Sequence, residues 1–443
     1  MGRSATPVVI TGLGPVCGLG VGLEPFWQAL TAGTSAIRRI DRFETGSFGC
    51  PFASVLPEGF DVRTLVPKSY RKGTKVMARD IEIAVAGAHM AVQSAGLVTR
   101  GTEGATTVTI PPERFGAHIG AGLIAADIDE LTSALVTSTN ADGSVDLGTW
   151  GTVGMNNLTP LWLLKYLPNM LACHVTIIHD CQGPSNTITC GESSALLSLG
   201  ESMRVIGRGD ADACLSGGAE SRVNQMGLMR YWYSGRLCAM PADGQGPELV
   251  RPFDAHASGS VLGEGGGILV VESADSAARR GKAPLAHLVG FGASQSVCAD
   301  TLGMDLSQSG EDIAAAIESA LEDAGMKPGD IDAIVPTGCA VRDVDAGERA
   351  ALERTFGSRL STLPIATVVP NAGFCGAGTG ALAACVGVQM LITQSIPARL
   401  NAAATPGLDA AAAASRPASL RSVLVLTTSL GGQSAAIILR RAS

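Results

Sequence analysis

Charged residues are scarce in this chain of 443 residues, at 16%, and the formal net charge is −8. The positive surface a nucleic-acid binder requires is missing, so no nucleic-acid partner is expected. There is no CxxC pair and no Cys/His spacing of the zinc-site kind among eleven cysteines scattered from Cys17 to Cys385. They read as reduced, mostly buried cytosolic thiols, and no metal or cofactor site is expected of them. Long apolar runs are lacking too: stretches such as Gly266 to Val271 fall far short of the roughly 20 residues that span a bilayer. Met1 to Pro7 shows no charged-then-apolar leader ending in a cleavage site. The expectation is a soluble, cytoplasmic protein without a membrane partner. Histidine is absent beyond His287, the last after His89, His118, His174, His179 and His256.

With 46% hydrophobic residues over this length, the chain can bury a large core. Val8 to Gly14 reads as a buried strand ending in a glycine turn, and the pattern recurs at Arg114 to Gly122 and Ala211 to Gly218. Helical periodicity separates these strands. Ile81, Ile83, Ala84, Ala88 and Val92 mark one helix over Ala78 to Gly96, and Ala195, Leu196, Leu199, Met203 and Ile206 mark another over Ser193 to Ile206. After Gly265 the motif restarts, with strands at Ile268 to Glu272, Leu288 to Gly292, Ile331 to Val335 and Val423 to Leu426 and a helix over Glu311 to Ala324. The alternation predicts an α/β protein of two pseudo-repeated halves, residues 1–265 and 266–443. Thr132 to Thr152 and Asn401 to Ala418 read as irregular surface loops, the first alternatively as an arm that contacts a partner.

Two glycine-rich segments invite a nucleotide-binding reading. Gly12-Leu13-Gly14-Pro15-Val16-Cys17 fails it, because Cys17 stands at the third glycine position, Pro15 disturbs the helix start, and no acidic residue closes a second strand. Gly373 to Gly380 lacks the Lys-Ser/Thr ending of a phosphate loop. Close backbone packing explains such glycines instead.

Longer segments carry the informative signal: Pro168 to Ala172, Gly183-Pro184-Ser185-Asn186-Thr187-Ile188-Thr189, Gly209 to Asp212, Gly217-Gly218-Ala219-Glu220, Arg251-Pro252-Phe253-Asp254, and Gly263-Glu264-Gly265. In order and spacing they resemble the β-ketoacyl synthase family of the thiolase fold over nearly the whole chain. The resemblance implies layered α-β-α-β-α architecture and a nucleophilic cysteine at the start of the helix after Gly183-Pro184-Ser185-Asn186, where the helix dipole favours a thiolate. Counting from either flank puts Glu192 at that position. Cys190 is the one thiol nearby, two residues early and so aimed elsewhere. The family's two histidines fall at Thr337 and Phe374, and none of the chain's six histidines can slip into either place. Losing one preorganised donor costs about 10² to 10³ in rate, so condensation by this chain alone is expected to be negligible.

A family member that keeps the fold and lacks the reactive set resembles the chain-length factors, partner subunits of type II polyketide ketosynthases. Most of those carry glutamine where this chain has Glu192. The resemblance implies a heterodimer with a catalytic ketosynthase, an acyl carrier protein whose phosphopantetheine arm delivers the chain, and no other cofactor. It also implies a tunnel end formed where the strand before Gly122 enters an interface helix, at Leu123, Ile124, Ala125, Ala126 and Ile128, with Leu430 in place of a gatekeeping phenylalanine. Two alternatives stay open: Glu192, with or without Cys190, decarboxylates malonyl-carrier protein for priming, or the chain is a carrier-binding scaffold.

Overall fold

The structure, a computed structural model, describes residues 6–46, 48–239, 245–296, 309–402, 407–409 and 414–442. Its first half contributes strands β1 (Val8–Cys17), β2 (Phe115–Ala121), β3 (Ser185–Ile188), β4 (Ala213–Ser221) and β5 (Glu264–Ser273), and its second half β6 (Ala286–Gln295), β7 (Ala333–Val335), β8 (Ser422–Thr428) and β9 (Gln433–Arg441). The first set is ordered β3-β2-β4-β5-β1, parallel at β3/β2/β4 and antiparallel at β4/β5/β1. The second is ordered β7-β8-β9-β6, with a parallel bridge from Ile334 in β7 to Ile365 where the first half has β3. One pattern of pairing is thus used twice. Val8 to Ile10 pair with Leu288 to Ala286, which joins both halves into a mixed ten-stranded sheet with a short tenth strand, Gly20–Val21. The expected division after residue 265 falls inside β5, whose partners are β4 and β1.

Helices α1 (Arg79–Ala95), α2 (Ile128–Thr137), α3 (Leu147–Thr152), α4 (Met170–His179), α5 (Ser194–Arg208), α6 (Gln225–Tyr233), α7 (Glu311–Ala324), α8 (Arg342–Phe356) and α9 (Thr379–Thr393) complete the layers. On the outside, α1 covers β1 and β5 while α7 covers β6 and β9. Between the halves lie α5 and α9, each packed on strands of both. The segment Gly376–Thr393 is apolar and long enough to cross a membrane, yet it is the buried centre of the fold. Gly12 and Gly14 lie within β1, where an added Cβ would sit 2.3 Å from the Ala91 carbonyl oxygen and 2.0 Å from that of Gly87. These glycines let α1 lie directly on the strand. Burying a side chain such as Ile81 or Ile83 across that contact contributes about 1.5–3 kcal/mol.

Thr132 to Thr152 is not an irregular loop: α2 and α3 occupy both its ends, joined through a Thr139–Val145 bridge. The polar residues that resemble loop signals are helix caps. Asp127 accepts from the Asp129 N–H at 2.8 Å, and Asp146 from the Gly148 and Thr149 N–H groups at 2.8 and 3.2 Å. Of Asn401 to Ala418, residues 403–406 and 410–413 lie outside the described residues.

Candidate functional site

The two central helices begin in the same way, each from a tight 3₁₀ turn: Gly191–Ser193 before α5 and Gly376–Gly378 before α9. Gly191 takes φ +55 with an added Cβ 2.4 Å from the Ser429 hydroxyl, so only glycine fits the turn. The turn delivers Glu192 to the head of α5 with 1% of its surface exposed. An unpaired carboxylate buried this deeply is costly, and the surroundings supply three donors. Arg222 Nη1 and the Tyr231 hydroxyl donate to Oε1 at 2.8 and 3.0 Å, and the Leu430 N–H donates to Oε2 at 3.0 Å. Burial opposes ionisation of Glu192, but Arg222 and the Leu430 N–H outweigh it and hold the carboxyl below its ordinary value.

Arg222, just past the end of β4, serves two acids. Its Nε and Nη2 donate to Glu220 Oε1 and Oε2 at 2.6 and 3.0 Å, and Glu220 in turn accepts the Ala377 N–H at 2.7 Å from the turn that opens α9. Burial works against the guanidinium's charge, yet Glu220 and Glu192 keep it firmly protonated. The Tyr231 ring lies 4.8 Å from the guanidinium carbon, and Phe374 lies 5.9 Å from it and edge-on to Tyr231 at 6.1 Å.

Phe374 is fully buried. Thr337 is fixed as loop structure: its N–H donates to Glu348 Oε1 at 2.8 Å and its hydroxyl accepts the Thr428 N–H at 2.9 Å. Cys190 sits ahead of the turn, partly exposed, with burial raising its thiol pKa, so no thiolate is favoured there. Glu192 and Phe374 thus surround one point, joined through Arg222 and Tyr231, residues that sequence reasoning did not single out. The available signal was charge: a glutamate at a buried helix start requires a cation within reach.

Beside this cluster opens a cavity of about 420 Å³ lined by Leu123, Ala125, Pro168, Thr189, Arg222 and Tyr231, among others. Glu192 is not in its wall; Arg222 and Tyr231 are. Of the expected tunnel residues, Leu123 and Ala125 face this space. Ile124 is instead buried in the core with Phe115 and Leu171, Leu430 packs with Phe374, and neither Ala126 nor Ile128 reaches the lining. The segment 122–127 has no regular secondary structure, and the helix begins only at Ile128, where Asp127 caps it. Glu264, retained with the Arg251–Asp254 motif, pairs with Arg42 and accepts the Leu56 N–H at 3.1 Å, a loop-fixing role. Among the described residues no group of three His, Cys, Asp or Glu side chains has metal-ligand geometry.

Residues 5–277 match the family described as "Beta-ketoacyl synthase, N-terminal domain", and residues 285–403 its C-terminal domain. The chain is 28% identical over 398 residues to "3-oxoacyl-[acyl-carrier-protein] synthase 2" of Vibrio cholerae serotype O1, covering 89% of this chain and 88% of that one. It is 28% identical over 436 residues to "Putative polyketide beta-ketoacyl synthase 1" of Streptomyces halstedii, covering 98% and 97%. A solved structure titled "The ishigamide ketosynthase/chain length factor" superposes with a TM-score of 0.79 at 25% identity, over 99% of this chain and 100% of that one. The family uses no metal or small cofactor, since its acyl groups ride on the phosphopantetheine of acyl carrier protein. By fold, by the order of its motifs and by these matches, the chain belongs to the β-ketoacyl synthase family.

Proposed function

We propose that this chain is the non-catalytic, chain-length-factor-type subunit of a ketosynthase heterodimer, shaping the acyl tunnel of an active partner that elongates chains on acyl carrier protein. The observation that carries this reading is the Glu192–Arg222–Glu220 cluster. At the helix start where the family resemblance places a nucleophile, this chain has a carboxylate whose oxygens are taken up by Arg222, Tyr231 and Leu430. A carboxylate held below its ordinary pKa by these donors is a poor base and no acyl acceptor for thioester exchange. That favours the partner-subunit reading over priming decarboxylation by Glu192. Phe374 and Thr337 supply no imidazole to polarise a thioester carbonyl.

Pairing is supported by surface chemistry. Leu123, Val136, Leu147 and Met155 are 54–78% exposed, and among the described residues β3 is the last strand of the sheet, with no strand paired to its outer edge. Exposed apolar side chains together with an unpaired strand edge are a surface that another chain covers. Co-expression with a cognate active ketosynthase is expected to yield a stable 1:1 complex, and Ala125→Phe in that complex to shorten its carrier-bound products. A robust homodimer that refuses to mix with the ketosynthase supports the scaffold alternative, and unchanged product lengths remove the tunnel role.

A further inference from the structure

Another cavity, of about 840 Å³, opens where the two halves meet, between the end of α5, the start of β1, β6 and the end of α7. It lies the length of α5 away from Glu192, about 20 Å at a rise of about 1.5 Å per residue, and is separate from the ion cluster. Its lining is apolar and buried at Val8 and Leu288, and charged and exposed at Arg204, Arg208 and Arg440. Two of these arginines are accounted for by their surroundings. Arg204 Nη1 donates to Asp323 at 2.8 Å and Arg208 Nε to Asp210 at 3.0 Å, and both lie near the C-terminus of α5, whose carbonyls favour a cation. Arg440 has no such explanation. It stands on β9 directly opposite His287 on β6, a position that like charges disfavour, and its side chain makes no hydrogen bond or ion pair among the described residues. His287 has no hydrogen-bond partner among them either, and burial, then the charge of Arg440, lowers its imidazole below the ordinary value.

Charge and donor count identify what the cleft accepts. Three guanidiniums face two carboxylates, Asp323 and Asp210, which leaves one positive charge, that of Arg440. The spare donors are more numerous: the five N–H groups of Arg440 and both terminal nitrogens of Arg208 lack a protein acceptor among the described residues. A carboxylate's two oxygens are filled by one guanidinium fork, whereas a phosphate monoester has three acceptor oxygens to share between two. We infer that this cleft binds a small organic phosphate, its phosphate held by Arg440 with Arg208 and His287, and its apolar body set against Val8, Leu288, Val289 and Met203. Val8 and Leu288 pair across the joint between the halves, so an occupant adds contacts to both and stabilises the folded chain. The inference goes beyond the proposed subunit role and does not depend on it.

The test titrates the full-length chain calorimetrically with phenyl phosphate, inorganic phosphate, benzoate and benzyl alcohol. Phenyl phosphate is expected to bind at least about tenfold more tightly than each of the others, since it alone joins three acceptor oxygens to an apolar body. Arg440→Gln is expected to weaken it about tenfold, as loss of one hydrogen bond to a charged group does. Arg208→Gln, also exposed, provides the same reading if Arg440→Gln folds poorly. Arg100→Gln, which removes an exposed arginine paired with Asp180 outside the cleft, is expected to leave the affinity unchanged. Vesicles containing phosphatidic acid are not expected to sediment the chain, which separates a free phosphate ester from a lipid headgroup. Absence of saturable phenyl phosphate binding, equal affinity for inorganic phosphate or benzoate, equal weakening by Arg100→Gln, or an affinity unchanged in Arg440→Gln and Arg208→Gln overturns the inference. Sedimentation with the vesicles that Arg440→Gln abolishes overturns it in favour of a lipid headgroup.

Discussion

The two central helices start from equivalent places in the repeated topology, and they treat the same electrostatic problem differently. A helix N-terminus carries roughly half a positive charge and unpaired N–H groups. At the head of α5 the turn brings its own carboxylate, Glu192; at the head of α9 the turn is Gly376-Ala377-Gly378, and the carboxylate comes from Glu220 on β4, which accepts the Ala377 N–H. Arg222 ties both acids together. The difference separates two demands on one backbone form: the α9 start is stripped of side chains so that it can lie against β5, while the α5 start has room for a functional side chain and holds one that is electrostatically spent.

Removing the shared cation breaks this comparison most severely. Arg222→Ala leaves two buried carboxylates without a counter-charge and is expected to cost about 3–5 kcal/mol in denaturant unfolding, since uncompensated buried charge is destabilising on that scale. Adding Glu192→Gln to it should recover part of the loss, and a single-mutant cost below about 1 kcal/mol contradicts the shared-cation account. Next in size, Gly378→Ala at the crowded start places a Cβ 2.0 Å from the Gly265 carbonyl oxygen, and overpacking against backbone should cost about 3 kcal/mol. Tyr231→Phe deletes one hydrogen bond to a charged acceptor, for about 1.5–2 kcal/mol in the same assay.

Glu192→Gln alone should be mild, within about 1 kcal/mol, because Arg222 keeps Glu220 as its partner. Its signature lies in pH. Glu192 is held below its ordinary value, so its contribution is present above that value and lost as pH falls through the lower folded-state one; the variant should lose stability less steeply in acid. Asp80 behaves oppositely. Burial, then the charge of Glu220, raises it from 3.8 to about 7, so folding favours its protonated form. Its contribution is intact below about pH 4 and lost as pH rises through about 7, and Asp80→Asn should flatten the stability profile across that window. An unchanged slope in that variant assigns the profile to other groups, such as Glu348, itself raised to about 7 by burial.

Much of this was legible in the residues. Strands and long helices followed from apolar periodicity: α1 and α7 fall within a residue or two of the segments expected at Ala78 to Gly96 and Glu311 to Ala324. Glu192 was fixed at the helix start because glycines on both sides anchor the count. Arg222 was not, since its pairing with a residue 30 positions away exists only once β4 and the turn before α5 are brought together. The helices within residues 128–152 were hidden by composition, because the Asp, Ser and Thr residues that cap short helices are those that also mark loops. The same cap bears on where the expected tunnel residues lie. With Asp127 starting α2, residues 122–127 stay outside regular secondary structure, and Leu123 and Ala125 line the cavity while Ile124 is buried in the core.

The central claim, that this chain does no acyl chemistry while its partner does, is tested most directly by intact-protein mass spectrometry of the co-expressed complex after exposure to acyl- and malonyl-carrier protein. The account predicts an acyl adduct on the ketosynthase subunit and none on this chain. A stoichiometric acyl adduct on this chain, lost in Cys190→Ala or Glu192→Ala, contradicts it.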